Sequence, residues 1–152
     1  MKKLNFAIFG ACLLTALATR ALAETTIPWT KEGCESVKGT WITAHSATDS
    51  GCDAAHCNGK NFCRSNVKMN WFSALIWCKS IGRELTDIET ACPNGISSGN
   101  TCANLKDKVG GNCWMSDVTS NPSWSYFVAH DGTIHFQSWT VKTRTEVFAL
   151  CK

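Results

Sequence analysis

The chain has 152 residues, and its 15 Lys and Arg against 12 Asp and Glu give a formal net charge of +3 at pH 7. Three of the basic residues, Lys2, Lys3 and Arg20, fall within the first 23 positions, so the other 129 residues carry no net charge. A neutral chain of this length is enough for one domain. It offers no electrostatic reason to expect nucleic acid or an anionic membrane as a partner.

Residues 1–23 have the layout of a secretory signal peptide. Lys2 and Lys3 form a charged start, residues 4–17 are an apolar run, and Ala21-Leu22-Ala23 is a small-residue cleavage site. We expect cleavage after Ala23 and export to the periplasm or the exterior. A lipoprotein with Cys12 as the lipidated residue is the weaker alternative, because the usual leucine before the cysteine is missing. The rest of the sequence holds no second apolar run long enough to span a membrane.

Cysteine content is the strongest signal in the composition. Nine cysteines would remain after cleavage: Cys34, Cys52, Cys57, Cys63, Cys78, Cys92, Cys102, Cys113 and Cys151. In an exported chain this density predicts a disulfide framework, and the odd number leaves at least one thiol free or bonded to another chain. A zinc site around His56 in "CDAAHCNGKNFC" (52–63) is the alternative, but its cysteine spacing is wider than zinc sites usually show.

The predicted elements begin with a cysteine-rich N-terminal segment, residues 24–60. It contains a short helix at 31–37, a strand at 40–43, and a stretch of turn residues at 46–60. We expect Trp29 and Trp41 to pack this segment onto the rest of the domain.

From residue 61 onward the sequence predicts a strand at 61–69 and then a helix. Asn70 is a suitable N-cap for this helix and Gly82 a suitable stop. Its buried face has the i, i+3, i+4, i+7 spacing and consists of Trp71, Ala74, Leu75, Cys78 and Ile81. Phe72 and Ile76 widen the apolar surface, so we expect the helix to be covered on more than one side.

A second helix and a group of strands follow. Thr86 and Glu89 have the spacing of a capping box, and Pro93-Asn94-Gly95 ends the helix. After a Gly-, Ser- and Asn-rich loop at 97–112, strands are predicted at 113–118, at 125–139 as a hairpin around Asp131-Gly132, and at 146–151. Helices followed by strands of this kind indicate an α+β fold.

Three stretches resemble the C-type lectin-like domain: "WFSALIWCKSIGREL" (71–85), "CWMSD" (113–117) and the closing "EVFALC". The positions that carry the resemblance are Trp71, Ala74, Cys78, Gly82, Leu85, Trp114 and Cys151. It covers about residues 61–152 and implies a C-type lectin-like fold of two helices plus an antiparallel sheet. We assign Trp71, Trp77 and Trp114 to its interior.

The resemblance also implies a disulfide between Cys78 and Cys151, which would fasten the first helix to the last strand. The short spacing "CPNGISSGNTC" predicts a local bond between Cys92 and Cys102. The remaining cysteines are five in number and cannot all pair within the chain: Cys34, Cys52, Cys57, Cys63 and Cys113.

The carboxylate triplets with which C-type lectins bind calcium and sugar do not occur in this sequence. We therefore expect no metal or other cofactor, and recognition of a glycan or a protein surface without metal. In the family the ligand surface is built by the long loop and the strands after it. These map to the residues Asp117, Asn121, Trp124, Gln137, Trp139, Lys142 and Arg144.

Alternatives to ligand binding stay open. Trp124 and Trp139 are each also consistent with ordinary packing at a sheet edge. The unpaired cysteine suggests a structural or assembly protein, cross-linked into a disulfide-bonded dimer. An enzyme is not expected, because the sequence has no nucleophile elbow, no phosphate loop and no marked carboxylate pair.

Overall fold

Six strands form one sheet in the order β1-β2-β6-β3-β4-β5. The computed structural model describes residues 26–46, 48–49, 59–93, 101–120, 124–137 and 147–152. The strands are β1 (Gly39–Thr43), β2 (Asn61–Met69), β3 (Cys113–Val118), β4 (Ser125–Val128), β5 (Ile134–Gln137) and β6 (Val147–Cys151). The α-helices in these ranges are α1 (Lys31–Ser36), α2 (Trp71–Ser80) and α3 (Ile88–Ala91), with a 3-10 turn at Ala103–Leu105.

The sheet is mixed, and the prediction of a purely antiparallel sheet was wrong. β6 lies between β2 and β3, antiparallel to β2 and parallel to β3. The other neighbouring pairs are antiparallel. Because β2 and β3 run in opposite directions, a strand that lies between them must be parallel to one of the two.

Helix α2 begins and ends where the sequence predicts. The Asn70 side chain accepts a hydrogen bond from the Ser73 amide at 2.8 Å, and Gly82 has the left-handed φ of +71° that a helix stop requires. Ala74, Cys78 and Ile81 are buried on the predicted face, whereas Trp71 and Leu75 are half-buried.

The outer face of α2 differs from the prediction. Phe72 is 40% exposed and Ile76 is 69% exposed, so the described residues cover the helix on one side rather than on several. A helix that is apolar on all sides does not by itself specify which side meets the sheet. Here the side of α2 that meets the sheet is the one that carries the small Ala74 and the disulfide-bonded Cys78.

The two faces of the sheet carry separate cores. On the α2 side, Cys78 and Trp114 pack with Ala149, and the Trp114 indole donates a hydrogen bond to the Met69 carbonyl at 2.8 Å. On the other side, Leu150 packs in a cluster with Phe62. The alternation along β6 therefore fills both cores from one strand.

Helix α3 is capped by Asp87 rather than by the predicted Thr86. The Asp87 carboxylate accepts from the Thr90 amide at 2.6 Å. Thr86 instead joins the strands, because its amide donates to the Leu150 carbonyl and its carbonyl accepts from the Ser116 amide, both at 2.8 Å. Its own hydroxyl is buried and has no hydrogen-bond partner in the part of the chain that the structure describes.

The N-terminal segment contributes to the same sheet. β1 pairs with β2 along its whole length, and the Cys34–Cys63 disulfide joins α1 to β2 across the predicted segment boundary at residue 60. Trp29 and Trp41 lie edge to face with ring centroids 5.0 Å apart, and both pack against the core on the α2 side, as expected.

Two further disulfides join the pairs that the sequence analysis expected. Cys78 is bonded to Cys151, and Cys92 is bonded to Cys102. Among the cysteines that the structure describes, Cys113 alone has a free thiol, and this residue is fully buried. Cys52 and Cys57 lie outside the described residues. No helix of the described part is long and apolar enough to cross a lipid bilayer.

We predict that loss of the Cys78–Cys151 bond destabilises the domain more than loss of the Cys92–Cys102 bond. The two bonds close loops with sequence separations of 73 and 10 residues. In the chain-entropy model these loops correspond to about 4 and about 3 kcal/mol of stabilisation. The double variants Cys78→Ala/Cys151→Ala and Cys92→Ala/Cys102→Ala, compared by urea unfolding, measure the difference. Equal losses would contradict this account.

Candidate functional site

The register of β3, β4 and β5 brings part of the predicted ligand surface to one end of the sheet. Val118 pairs with Ser125, and Ser125 pairs with Gln137. Trp124 directly precedes β4 and is half-buried, and its carbonyl accepts from the Thr119 amide at 3.1 Å. Asp117, Trp124 and Gln137 therefore lie in adjoining strand ends. The other predicted residues, Asn121, Trp139, Lys142 and Arg144, lie outside the described residues.

Asp117 has a structural partner at this end of the sheet. One of its carboxylate oxygens accepts a hydrogen bond from the Ile88 amide at 2.7 Å. Since Ile88 is the first residue of α3, the carboxylate satisfies an amide that the helix itself leaves unbonded. Asp117 thus fastens α3 to β3, a role that the sequence analysis did not assign to it.

Ser125 is a second polar group of interest at the same end. The residue is fully buried, and its hydroxyl has no hydrogen-bond partner among the described residues. A buried hydroxyl without a partner is unfavourable by roughly 1–3 kcal/mol. The Ser125 hydroxyl, next to Trp124 in the chain, is therefore a buried polar group whose hydrogen bonding the described residues do not satisfy.

A cleft of about 650 Å³ opens beside the C-terminal end of α2. Leu75 and Leu85 supply its apolar part. Its charged lining consists of Lys79, Arg83, Glu84, Asp87 and Lys152. This cleft could not be predicted from the sequence, because Lys152, which completes the lining, lies 65 residues beyond Asp87 along the chain.

An ion pair forms one wall of the cleft. The Lys152 ammonium donates to the Asp87 carboxylate and to the Thr90 hydroxyl at 3.3 Å, and the Glu84 carboxylate lies 3.9 Å away. Burial acts to raise the pKa of Asp87, but the hydrogen bonds from Lys152 and Thr90 outweigh it and lower the pKa from 3.8 to about 2. The hydrogen bond with Asp87 in turn raises the pKa of Lys152.

Arg83 forms another part of the wall and has no carboxylate partner in the described residues. Its guanidinium stacks over the Trp29 ring at 4.6 Å from the centroid and donates one hydrogen bond to the Ile27 carbonyl at 3.0 Å. Its Nε is buried, and no acceptor in the described ranges bonds to it. Most of the five donors of this guanidinium are therefore not used by the described residues.

His45 has a structural role. Its ring nitrogens lie 3.1 Å from the Asp49 carboxylate and 3.0 Å from the Lys106 carbonyl. These contacts connect the residues after β1 to those after the 3-10 turn. Within the described ranges, no three His, Cys, Asp or Glu side chains are grouped as a metal site. Comparisons of the chain with family models, with curated proteins and with solved structures gave no match.

We predict that the Asp87–Lys152 pair makes stability depend on pH in the acid range. Because the pKa of Asp87 is lowered on folding, its contribution is complete above pH 3.8 and is lost as the pH falls through about 2. The size of the shift corresponds to about 2 kcal/mol. In urea unfolding, the difference in the free energy of unfolding between the unmodified chain and Asp87→Asn should shrink as the pH falls from 3.8 to about 2.

Glu84→Gln is the matched control for this measurement. It removes a carboxylate near the same ammonium, but one whose side chain is 82% exposed, and exposed pairs contribute little to stability. A difference for Asp87→Asn that stays constant from pH 5 to 2 would show that the ion pair is not the cause.

Proposed function

We propose that this chain is an exported binding domain with a C-type lectin-like fold. Its function is the recognition of a glycan or a protein surface, without metal, at one end of the neighbouring strands β3, β4 and β5. The observation that carries the proposal is the register of these strands. It brings Asp117, Trp124 and Gln137 to adjoining strand ends, in the part of the fold where the resemblance implies a ligand surface.

The order of the elements supports the fold assignment. A helix with the Trp-x-x-Ala-x-x-x-Cys pattern is followed by a second helix, then by β3 with its buried Trp114, and then by a final strand. The bond between Cys78 and Cys151 joins the first and last of these elements, as the resemblance implies.

The side chains near Trp124 suit a polar ligand. A half-buried indole offers an apolar face for stacking, while neighbouring polar groups give hydrogen bonds that orient the ligand.

Export is supported by two independent observations. The first 23 residues have the layout of a signal peptide, and the described residues hold three disulfides. Disulfides of this kind persist in oxidising compartments such as the periplasm or the cell exterior.

The alternative, an assembly protein cross-linked through an unpaired cysteine, is less well supported. Cys113 is fully buried, and this burial raises the pKa of its thiol to about 12. Since the thiolate is the reactive species, a bond from Cys113 to another chain would require the core to open. Non-reducing gels test this directly, because a cross-linked dimer would convert to monomer on reduction.

We predict that Trp124→Ala weakens ligand binding and costs about 1 kcal/mol or less of stability, because the indole is half-buried at the sheet end. Trp114→Ala is the matched comparison. It removes a fully buried indole with a hydrogen bond to Met69, so it should cost about 3–5 kcal/mol. Binding is measured on a glycan array and by pull-down from cell-surface extract, and stability by urea unfolding.

The same experiment separates binding from edge packing. If Trp124→Ala unfolds as readily as Trp114→Ala, then Trp124 is a core residue and the proposed surface is wrong. If the variant is stable and binds every ligand of the unmodified chain equally well, the surface is also wrong.

A further inference from the structure

We infer that the cleft beside Arg83 is a second binding site, which takes the carboxylate of a small acidic ligand. The inference goes beyond the proposed function, because the cleft lies between α2 and Lys152 and does not include Trp124. The two sites can therefore be tested separately.

The incomplete hydrogen bonding of Arg83 is the first reason. Arg83 lines the cleft, and among the described residues one carbonyl, that of Ile27, accepts a hydrogen bond from its guanidinium. A guanidinium presents a planar fork of donors whose geometry matches the two oxygens of a carboxylate. In the described part of the chain, no carboxylate of the protein occupies that position.

The packing of Arg83 is the second reason. Its stacking over Trp29 at 4.6 Å fixes the plane of the guanidinium before a ligand arrives. Trp29 is in turn held edge to face by Trp41. A donor fork that is already oriented loses less conformational entropy on binding.

The other charged residues of the cleft determine whether it favours a positively or a negatively charged ligand. Asp87 and Lys152 neutralise each other in their ion pair. Lys79 is exposed at the end of α2 and has no ion-pair partner among the described residues. The exposed Glu84 opposes an anion, but it is one carboxylate against the two uncommitted cations Arg83 and Lys79, so the cleft favours negative charge.

The size of the cleft limits the ligand to a small molecule. A volume of about 650 Å³ lies within the range of roughly 300–1,000 Å³ that is usual for small-molecule sites. Leu75 and Leu85 give it an apolar part, against which the carbon skeleton of a sugar acid or an acidic amino acid can pack.

The test is titration of the disulfide-bonded chain at low ionic strength, followed by NMR of the tryptophan indole groups and by calorimetry. Sodium glucuronate and N-acetylglutamate represent the two sources of the carboxylate, and glucose is the neutral comparison. We expect saturable binding of at least one of the two acids, with a shift of the Trp29 indole signal, and none of glucose. Whichever acid binds more tightly identifies the source.

Variants locate the site. Arg83→Lys keeps the charge but removes the fork, and Lys79→Gln removes the second cation, so each should weaken binding by about tenfold, as expected for the loss of a charge-assisted hydrogen bond. Glu84→Gln should strengthen binding by about twofold. Lys68→Gln, a lysine that lies over Phe148 and away from the cleft lining, is the matched control and should have no effect.

The inference is overturned if neither acid binds, if glucose binds equally well, or if Lys68→Gln weakens binding as much as Lys79→Gln. Because Lys79 is exposed, its variant keeps the test decisive even if Arg83→Lys fails to fold. Trp124→Ala should leave binding of the acids unchanged, so failure of this site and failure of the proposed function are distinguished.

Discussion

The bond between Cys78 and Cys151 is the constraint on which the rest of the structure depends. It joins the buried face of α2 to β6, the strand that pairs with β2 on one side and with β3 on the other. With the helix fixed there, Ala74 and Trp114 share one core. The end of α2 is then held where Lys79 and the following Arg83 can border a cleft.

The same region shows how few polar groups keep the strand ends in place. Thr86 connects β6 to β3 through its backbone, and Asp117 on β3 holds the first amide of α3. Asp87 caps the same helix and pairs with Lys152. Asp117 and Asp87 therefore each connect the start of α3 to a strand end, so the two proposed binding surfaces share these contacts.

Local sequence patterns predicted the individual elements well. Asn70, Gly82 and Asp131-Gly132 determine backbone conformation within a few residues, and the structure has the helix ends and the hairpin at those positions. Trp114 was correctly assigned to the interior, whereas Trp71 and Trp77 are half-buried. Burial of those two depends on how far the helix tilts onto the sheet, which periodicity does not specify.

What could not be predicted depends on contacts between distant residues. Both Thr86 and Asp87 can cap a helix. Thr86 was not available because its amide and carbonyl bond to Leu150 and Ser116, which is visible only once β6 and β3 are adjacent. The parallel pairing of β3 with β6, and the meeting of Lys152 with Asp87, depend on that same adjacency.

The central position of β6 also bears on the order of folding. β1 with β2, and β3 with β4 and β5, can each pair as soon as their own residues are available, but they are joined only when residues 147–151 enter between them. In the strand pairing of β2 with β6, Cys63 lies opposite Cys151, 88 residues further along the chain. Contacts of such long range slow folding because the loop must close first. Until then both halves expose unpaired strand edges, so the folding chain depends on its last strand to cover these edges against aggregation.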